Sequence, residues 1–398
     1  MHNQTVVVLD FGGQYKELIA RRVRECGVYS VIKPGDTPVE ELLKLNPIGF
    51  ITTGGPASVY EETSPHCSPE LFTCGVPVLG ICYGMQLMTW TLGGKVSSAS
   101  VSEYGPTAAA FETDAVLFDG LDTLQTVLMS HTDFVSEPPA GFRITAKTAD
   151  CPVAAIECPD KKLYGVQFHP EVVHTKDGTK IIRKFLYDVC GAAGDYTMDD
   201  YIERTVKSIR EQVGDSKVIL GLSGGVDSSV AAALISKAIG ENLTCIFVDH
   251  GFMRKNEALE VKNAFRDMPL KLIQLDESER FLSALKGVTD PETKRKTIGR
   301  LFIDSFCDEA ERIGGADFLA QGTIYPDIIE SGNSKAATIK SHHNVGGLPR
   351  DIGFKGLVEP LRGLFKDEVR KVGTMLGLPS YLVNRQPFPG PGLAIRVI

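Results

Sequence analysis

No stretch of this 398-residue chain stays apolar for the roughly 18 residues that a membrane-crossing helix needs. Met1-His-Asn-Gln-Thr5 has no basic region, and the apolar Val6–Leu9 behind it is too short for a secretory signal. The nine cysteines include no Cys-x-x-Cys and no paired spacing. That argues against a zinc site or a disulfide scaffold and fits a reducing, cytoplasmic setting. Positive charge is also short: the net charge of −8 disfavours a nucleic-acid-binding surface. An anionic substrate must therefore be held by local backbone amides and a few placed cations.

What remains is an ordinary globular composition at a length that implies two to three domains. Short β-branched runs alternate with helical patterns throughout, which predicts an α/β protein built on two doubly wound, mostly parallel sheets. Strands are expected at Thr5–Leu9, Ile48–Thr52, Val76–Ile81 and Leu163–Phe168, with a helix at Gly178–Val189. Cys190-Gly-Ala-Ala-Gly-Asp195 reads as a small-residue linker, giving domains 1–190 and 199–398 joined by 191–198. The second half opens with an amphipathic helix, Asp199–Val213. Strands follow at Lys217–Leu222, Leu243–Val248, Leu270–Leu275 and Phe318–Gln321. Pro379 to Gly392 holds several Pro and Gly residues and is expected to lack regular structure.

The most informative segment is Ser223-Gly224-Gly225-Val226-Asp227-Ser228-Ser229. The apolar run Val218–Leu222 leads into it, and the helical pattern Val230–Ile239 leads out. Two glycines let the backbone turn sharply, so that loop and helix-start amides converge on a spot where the helix dipole favours an anion. The loop lacks the lysine of a Gly-Lys-Ser/Thr nucleotide loop. It resembles the pyrophosphate-binding loop of the N-type ATP pyrophosphatases, which implies an adenine nucleotide alpha hydrolase-like fold. A plain Gly/Ser surface loop is the alternative. Asp227 suits a Mg²⁺ ion beside phosphates, or a turn carboxylate capping the next helix, and the two uses are compatible. Phe247-Val248-Asp249 ends the following strand, where an adenosine moiety lies in a doubly wound sheet, so Val248 joins the candidate ATP contacts.

A second constellation lies in the first half. Gly80-Ile81-Cys82-Tyr83-Gly84 falls between a strand and a helix, and glycine on both sides permits the strained turn that lifts a nucleophile above a sheet. His169-Pro170-Glu171 ends another strand and supplies a base with a carboxylate to orient it. Thr53-Gly54-Gly55-Pro56 follows a third strand, and its amides, with the N–H of Tyr83, suit an oxyanion hole. Cys82 alone is better read as a structural thiol, and His169 alone as a core histidine. Their coincidence at strand C-terminal ends favours chemistry. This half, over roughly residues 5–190, resembles the class I (triad) glutamine amidotransferases. The resemblance implies a flavodoxin-like fold and glutamine hydrolysis through a thioester, with Cys82 as nucleophile, His169 as base and Glu171 as orienter. It further implies that Gln86, Ser130 and His131 contact glutamine or line its pocket. Asp10-Phe-Gly-Gly-Gln14 matches the opening of one subfamily, whereas Thr132 replaces a usual glycine and Thr52-Thr53 stands where Ser-Gly-Gly is commoner.

Longer matches identify what the ammonia is for. They include Gly322-Thr-Ile-Tyr-Pro-Asp327, Lys340-Ser-His-His-Asn-Val-Gly-Gly-Leu-Pro349, Glu359-Pro-Leu361, Leu364-Phe-Lys-Asp-Glu-Val-Arg370 and Pro387-Phe-Pro-Gly-Pro-Gly-Leu-Ala-Ile-Arg396. These segments resemble the glutamine-hydrolysing GMP synthases. The resemblance implies that xanthosine 5′-monophosphate (XMP), ATP and glutamine become GMP, AMP, pyrophosphate and glutamate. It makes Arg295, in the cationic run Lys294-Arg-Lys296, a contact of XMP; charge alone fits a solvated helix face equally well. It also implies a cytoplasmic enzyme, with ammonia passing between the two sites by a channel or a rearrangement. A different acceptor, as in NAD synthesis or tRNA thiolation, is the second reading, and a chain that binds ATP and glutamine without completing synthesis is the third. The family continues past this point with a C-terminal domain that dimerises it and grips XMP, so a chain ending at Ile398 is expected to be a fragment or a shortened, non-dimerising form.

Overall fold

The computed structural model describes residues 4–330, 354–388 and 390–396, at 99–101 by their backbone alone. Lys340–Pro349 therefore lies outside the described residues. The chain divides into two compact units, the first ending at Tyr196 and the second beginning at Thr197.

The first unit opens with β1 (Thr5–Asp10), α1 (Lys16–Glu25), β2 (Tyr29–Pro34), α2 (Val39–Leu43) and β3 (Pro47–Thr52). The nucleophile turn then joins β4 (Val78–Ile81) to α3 (Tyr83–Thr91). Four strands follow without helices: β5 (Lys95–Phe111), β6 (Leu124–Glu137), β7 (Arg143–Lys147) and β8 (Ala155–Cys158). The unit closes with β9 (Leu163–Val166) and α4 (Gly178–Lys184), which continues into a π-helical turn at Phe185–Val189.

All nine strands share one sheet in the order β2-β1-β3-β4-β9-β8-β7-β5-β6. From β2 to β9 the pairing is parallel, and from β9 to β6 it is antiparallel, so the sheet is mixed. The inner parallel strands are buried on both faces, as in β1, where Val6, Val7, Val8 and Leu9 are all fully buried. β4 starts at Val78 rather than Val76 because Pro77 has no N–H to give the ladder.

The second unit opens with α5 (Met198–Val213), β10 (Val218–Leu222), α6 (Val226–Ile239) and β11 (Leu243–Asp249). It continues with α7 (Glu257–Ala264), β12 (Lys271–Asp276), α8 (Ser278–Ala284), α9 (Pro291–Arg312), β13 (Phe318–Ala320) and α10 (Tyr325–Glu330). β14 (Gly356–Val358), α11 (Lys366–Met375) and α12 (Ser380–Val383) complete it. Its five strands are all parallel, in the order β12-β11-β10-β13-β14. The order reverses at β10, and a ligand crevice belongs at the carboxyl end of such a strand.

Two expectations need correction. The helix after the serine-rich loop begins at Val226, not Val230, so Val226 to Ser229 form its first turn. The stretch Pro379–Gly392 does contain regular structure: Pro379 sets the entry to the single helical turn α12, whose Leu382 and Val383 are buried.

Candidate active sites

Two glycines make the Cys82 turn possible. A Cβ on Gly84 would lie 2.4 Å from the Thr52 carbonyl oxygen, and one on Gly80 would lie 2.7 Å from the Gly84 backbone. α3 can therefore press against β3 and β4 only through hydrogens. Cys82 itself takes φ 53°, ψ −111° at the N-cap of α3, a conformation that L-residues with side chains rarely occupy. Its N–H donates to the Val166 carbonyl at 2.8 Å, which ties the turn to β9. The Tyr83 N–H is the first amide of α3 and has no intrahelical acceptor.

β9 delivers the partner residues. His169 donates through Nδ1 to Glu171 Oε1 at 2.7 Å, which leaves Nε2 as the nitrogen to exchange a proton with Cys82. The His169 N–H bonds the Leu128 carbonyl at 3.0 Å, and Thr175 Oγ1 bonds the His169 carbonyl at 2.6 Å, so β6 and the next turn fix the imidazole's backbone. Tyr15 meets the ring edge-on at 5.3 Å. Burial is the largest influence on His169 and works to lower its pKa; hydrogen bonds and charge from Cys82 and Glu171 outweigh it and raise the value to about 10. An imidazolium beside a sulfur nucleophile follows. Elsewhere burial pushes thiol pKa values up, to about 12 at Cys67 and Cys151 and to about 11 at Cys307, as expected of inert structural thiols.

The Gly54 loop lies against both groups: a Cβ there would sit 3.2 Å from His169 Cε1 and 3.7 Å from Cys82 Cβ. Gly55 is equally confined, 2.7 Å from the Phe11 carbonyl by the same measure. Tyr83 turns its ring away, donating to the Pro65 carbonyl at 2.6 Å. Ser130 brings its carbonyl within 3.7 Å of Cys82 Sγ. The imidazole of His131 points into the sheet instead, with Nε2 3.1 Å from Glu103 Oε2 and Nδ1 3.0 Å from the Asp133 carbonyl. Cys151 adds a third donor atom within 4.8 Å of that pair. Both ring nitrogens of His131 already face oxygens, so this cluster reads as a buried hydrogen-bond network. Gln86 is buried, its Nε2 bonded to the Asp133 carbonyl at 2.7 Å and to Gln167 Oε1 at 3.1 Å.

The other candidate site lies at the end of β10. Gly224 takes φ +72°, and a Cβ there would meet Glu257 Oε1 at 2.7 Å, so only glycine fits. The hydroxyls hold the loop together: Ser223 Oγ lies 3.1 Å from Ser228 Oγ and accepts from the Gly225 N–H at 3.3 Å, while Ser229 Oγ donates to the Gly225 carbonyl at 2.8 Å. Arg385 braces it from outside, bonding the Gly224 carbonyl and pairing with buried Glu257 at 2.6 Å. A Cβ on Gly322 would lie 3.1 Å from the Ser228 nitrogen, so the loop after β13 packs directly on this turn.

Asp227, on the first turn of α6, receives Lys366 Nζ at 2.7 and 2.6 Å on its two oxygens. The side chain of Val248 is fully buried, which leaves only its main chain to meet a nucleotide. Its neighbour His250 has a pKa lowered by burial; Nδ1 accepts from the Phe252 N–H, and Nε2 donates to the Gly390 carbonyl at 3.1 Å. Arg295 lies on α9, where it forms a two-pronged pair with Glu292 at 2.8 and 2.6 Å.

Sequence reasoning left Lys366 without a role and passed over Gln167, Tyr15, Glu257 and Arg385. An amide beside the histidine of His-x-Glu, and a lysine opening a helix in a matched segment, were the available signals.

The class-I glutamine amidotransferase family matches residues 7–189, and the NAD synthase family matches residues 198–297. Glutamine-hydrolysing GMP synthases of Caldicellulosiruptor saccharolyticus and Acetivibrio thermocellus are each 58% identical to this chain, and that of Clostridium botulinum is 55% identical. Each alignment takes in the whole of this chain and 78% of the relative. No helix among the described residues is long and apolar enough to cross a membrane.

Proposed function

Because this chain belongs to the glutamine-hydrolysing GMP synthases, an ATP-using enzyme family, we propose that its first unit is the glutaminase, with Cys82, His169 and Glu171 as its triad. The His169–Glu171 contact of 2.7 Å beside a cysteine on a φ 53° elbow is the observation that carries this assignment. Cys82 loses its thiol proton to His169 and attacks the side-chain amide carbon of glutamine. The oxyanion that forms meets the amides of the Gly54–Gly55 loop and of Tyr83. His169 returns the proton to the departing nitrogen, ammonia leaves, and water opens the thioester to give glutamate. The main chain of Ser130, at hydrogen-bonding range of the sulfur, and the Gln86 amide border this pocket; His131 supports it from behind.

In the second unit we assign ATP to the loop Ser223–Ser229 and the main chain at Val248. Glycine backbone amides and the α6 N-terminus suit the β- and γ-phosphates, with position at the sheet's switch point as support. The XMP O2 attacks the α-phosphorus, pyrophosphate departs onto the loop amides, and ammonia then displaces AMP from the purine carbon. Asp227 fits Mg²⁺, a hard cation that takes one or two carboxylates together with phosphate oxygens. A bound ion would neutralise phosphate charge, and Lys366, which covers both Asp227 oxygens at 2.6–2.7 Å, would have to release one of them. Arg295 is assigned to XMP, for which it exchanges its Glu292 partner. Nine thiols, none in a disulfide, support a reducing, cytosolic setting.

A screen of pyrophosphate release over candidate acceptors tests this reading. XMP is expected to be the only strong responder. An equal response to nicotinic acid adenine dinucleotide or to tRNA contradicts it.

A further inference from the structure

The glutaminase chemistry leaves one buried side chain at the nucleophile without a task. Gln167, just after β9, is 0% exposed, and its Nε2 lies 3.6 Å from Cys82 Sγ. Its neighbours fix the orientation of the amide. The Asp133 carbonyl can only accept, so the Gln86 atom 2.7 Å away is the nitrogen. The second hydrogen of that nitrogen points at Gln167 from 3.1 Å, so an oxygen must receive it. Turning Gln167 over would set two amide nitrogens against each other and a carbonyl oxygen against the sulfur. The Asp133 carbonyl is itself held by the His131 imidazole at 3.0 Å, with Glu103 behind it.

We propose that Gln167 is a catalytic residue of the glutaminase: its Nε2–H, aimed by Gln86 and the Asp133 carbonyl, donates to the Cys82 sulfur and favours the thiolate. This rests on the triad assignment made above. The two flanks of the sulfur explain why a donor is needed there. On one side the Ser130 carbonyl, 3.7 Å away, accepts from the neutral S–H. Once that proton moves to His169, the carbonyl faces a negative sulfur and repels it. The Gln167 N–H does the reverse, since a neutral hydrogen bond becomes a stronger, charge-assisted one. The same donor later helps the sulfur leave as thiolate when water opens the thioester. Among the described residues, the titratable groups near the sulfur and its partners are His169 with Glu171 behind it and Tyr15 against its ring, Tyr83 on α3, and the Asp133 and Glu103–His131 groups behind Gln86.

Two volume-conserving variants of the full chain provide the test. Gln167→Met removes the donor and Gln167→Glu replaces it with a negative acceptor; melting followed by circular dichroism identifies which variants fold. The readout is the rate of Cys82 alkylation by iodoacetamide against pH, scored at that residue by mass spectrometry, with glutaminase kinetics alongside. Gln167→Met should raise the alkylation midpoint by about one pH unit. A higher-pKa thiolate is also more nucleophilic, so kcat should fall only about threefold to tenfold, with KM within about twofold. Gln167→Glu should raise the midpoint further, and it decides the matter alone if the methionine variant does not fold. An unchanged midpoint in the folded variants overturns the proposal, even if kcat falls, because Gln167 then only shapes the pocket. A wild-type chain without glutaminase activity defeats the triad assignment instead, while the alkylation comparison still reports on Gln167.

Discussion

Glu171 gives one oxygen to His169 Nδ1 at 2.7 Å, and its other oxygen is buried with no hydrogen-bond partner among the described residues. A buried carboxylate with a single partner directs its charge onto that partner. Together with the hydrogen bond with Cys82, it keeps His169 protonated although burial favours the neutral ring.

A titration of His169 by NMR checks this directly. In the intact protein the midpoint is expected near 10. Cys82→Ala should lower it, because hydrogen bonding and charge from the sulfur are among the influences that raise it. The sign for stability follows from a folded-state pKa raised above the unfolded value of about 6.5. The contribution of His169 is complete below about pH 6.5 and is lost as pH rises through about 10. Melting temperatures of wild type and Cys82→Ala should therefore converge at the alkaline end of that window.

Glycine substitutions should split by what a Cβ meets. Gly84→Ala drives a carbon to 2.4 Å from the Thr52 carbonyl, and rigid backbone cannot step aside cheaply. A loss of about 2–3 kcal/mol and a fall in Tm on the order of 5–10 °C are expected. Gly299→Ala, on α9 where a Cβ meets nothing within 4 Å, should instead stabilise by about 0.5–1 kcal/mol. Calorimetry of the two variants decides whether the elbow is as tight as its geometry states.

Asp227→Asn should impair the second unit alone. With the charge gone, Lys366 loses its partner at 2.6–2.7 Å and the phosphate site loses its hard anionic oxygen. ATP-dependent pyrophosphate release should fall by about 10²-fold or more, while basal glutaminase persists. Loss of both activities together would place Asp227 in a structural role.

The residues that announced themselves in the sequence were those whose signal is local. Gly80 and Gly84 bracket Cys82, His169 and Glu171 stand two apart, and the serine-rich loop follows an apolar run; each is a short pattern at a strand end. The antiparallel half of the first sheet was not legible. β5 is largely Ser, Ala and Thr, and β6 buries Gln125, His131 and Asp133 on the same face as Val127, Met129 and Val135, so its alternation is not one of polar and apolar residues. The start of α6 was hidden because its apolar periodicity begins only at Val230, a full turn after the helix does. Which residue pairs with which across the chain had no local signal. Asp227 and Lys366 are 139 residues apart, and Gln86 and Gln167 are 81 apart.

The most direct test of the account is a paired assay of Cys82→Ser in the 398-residue chain, supplied with glutamine in one arm and ammonium in the other. GMP formation should fall by about 10³-fold or more with glutamine and stay within about twofold of wild type with ammonium. Retained glutamine-dependent synthesis, or equal loss in both arms, contradicts the division of labour between a thiol that frees ammonia and a separate loop that prepares the nucleotide to receive it.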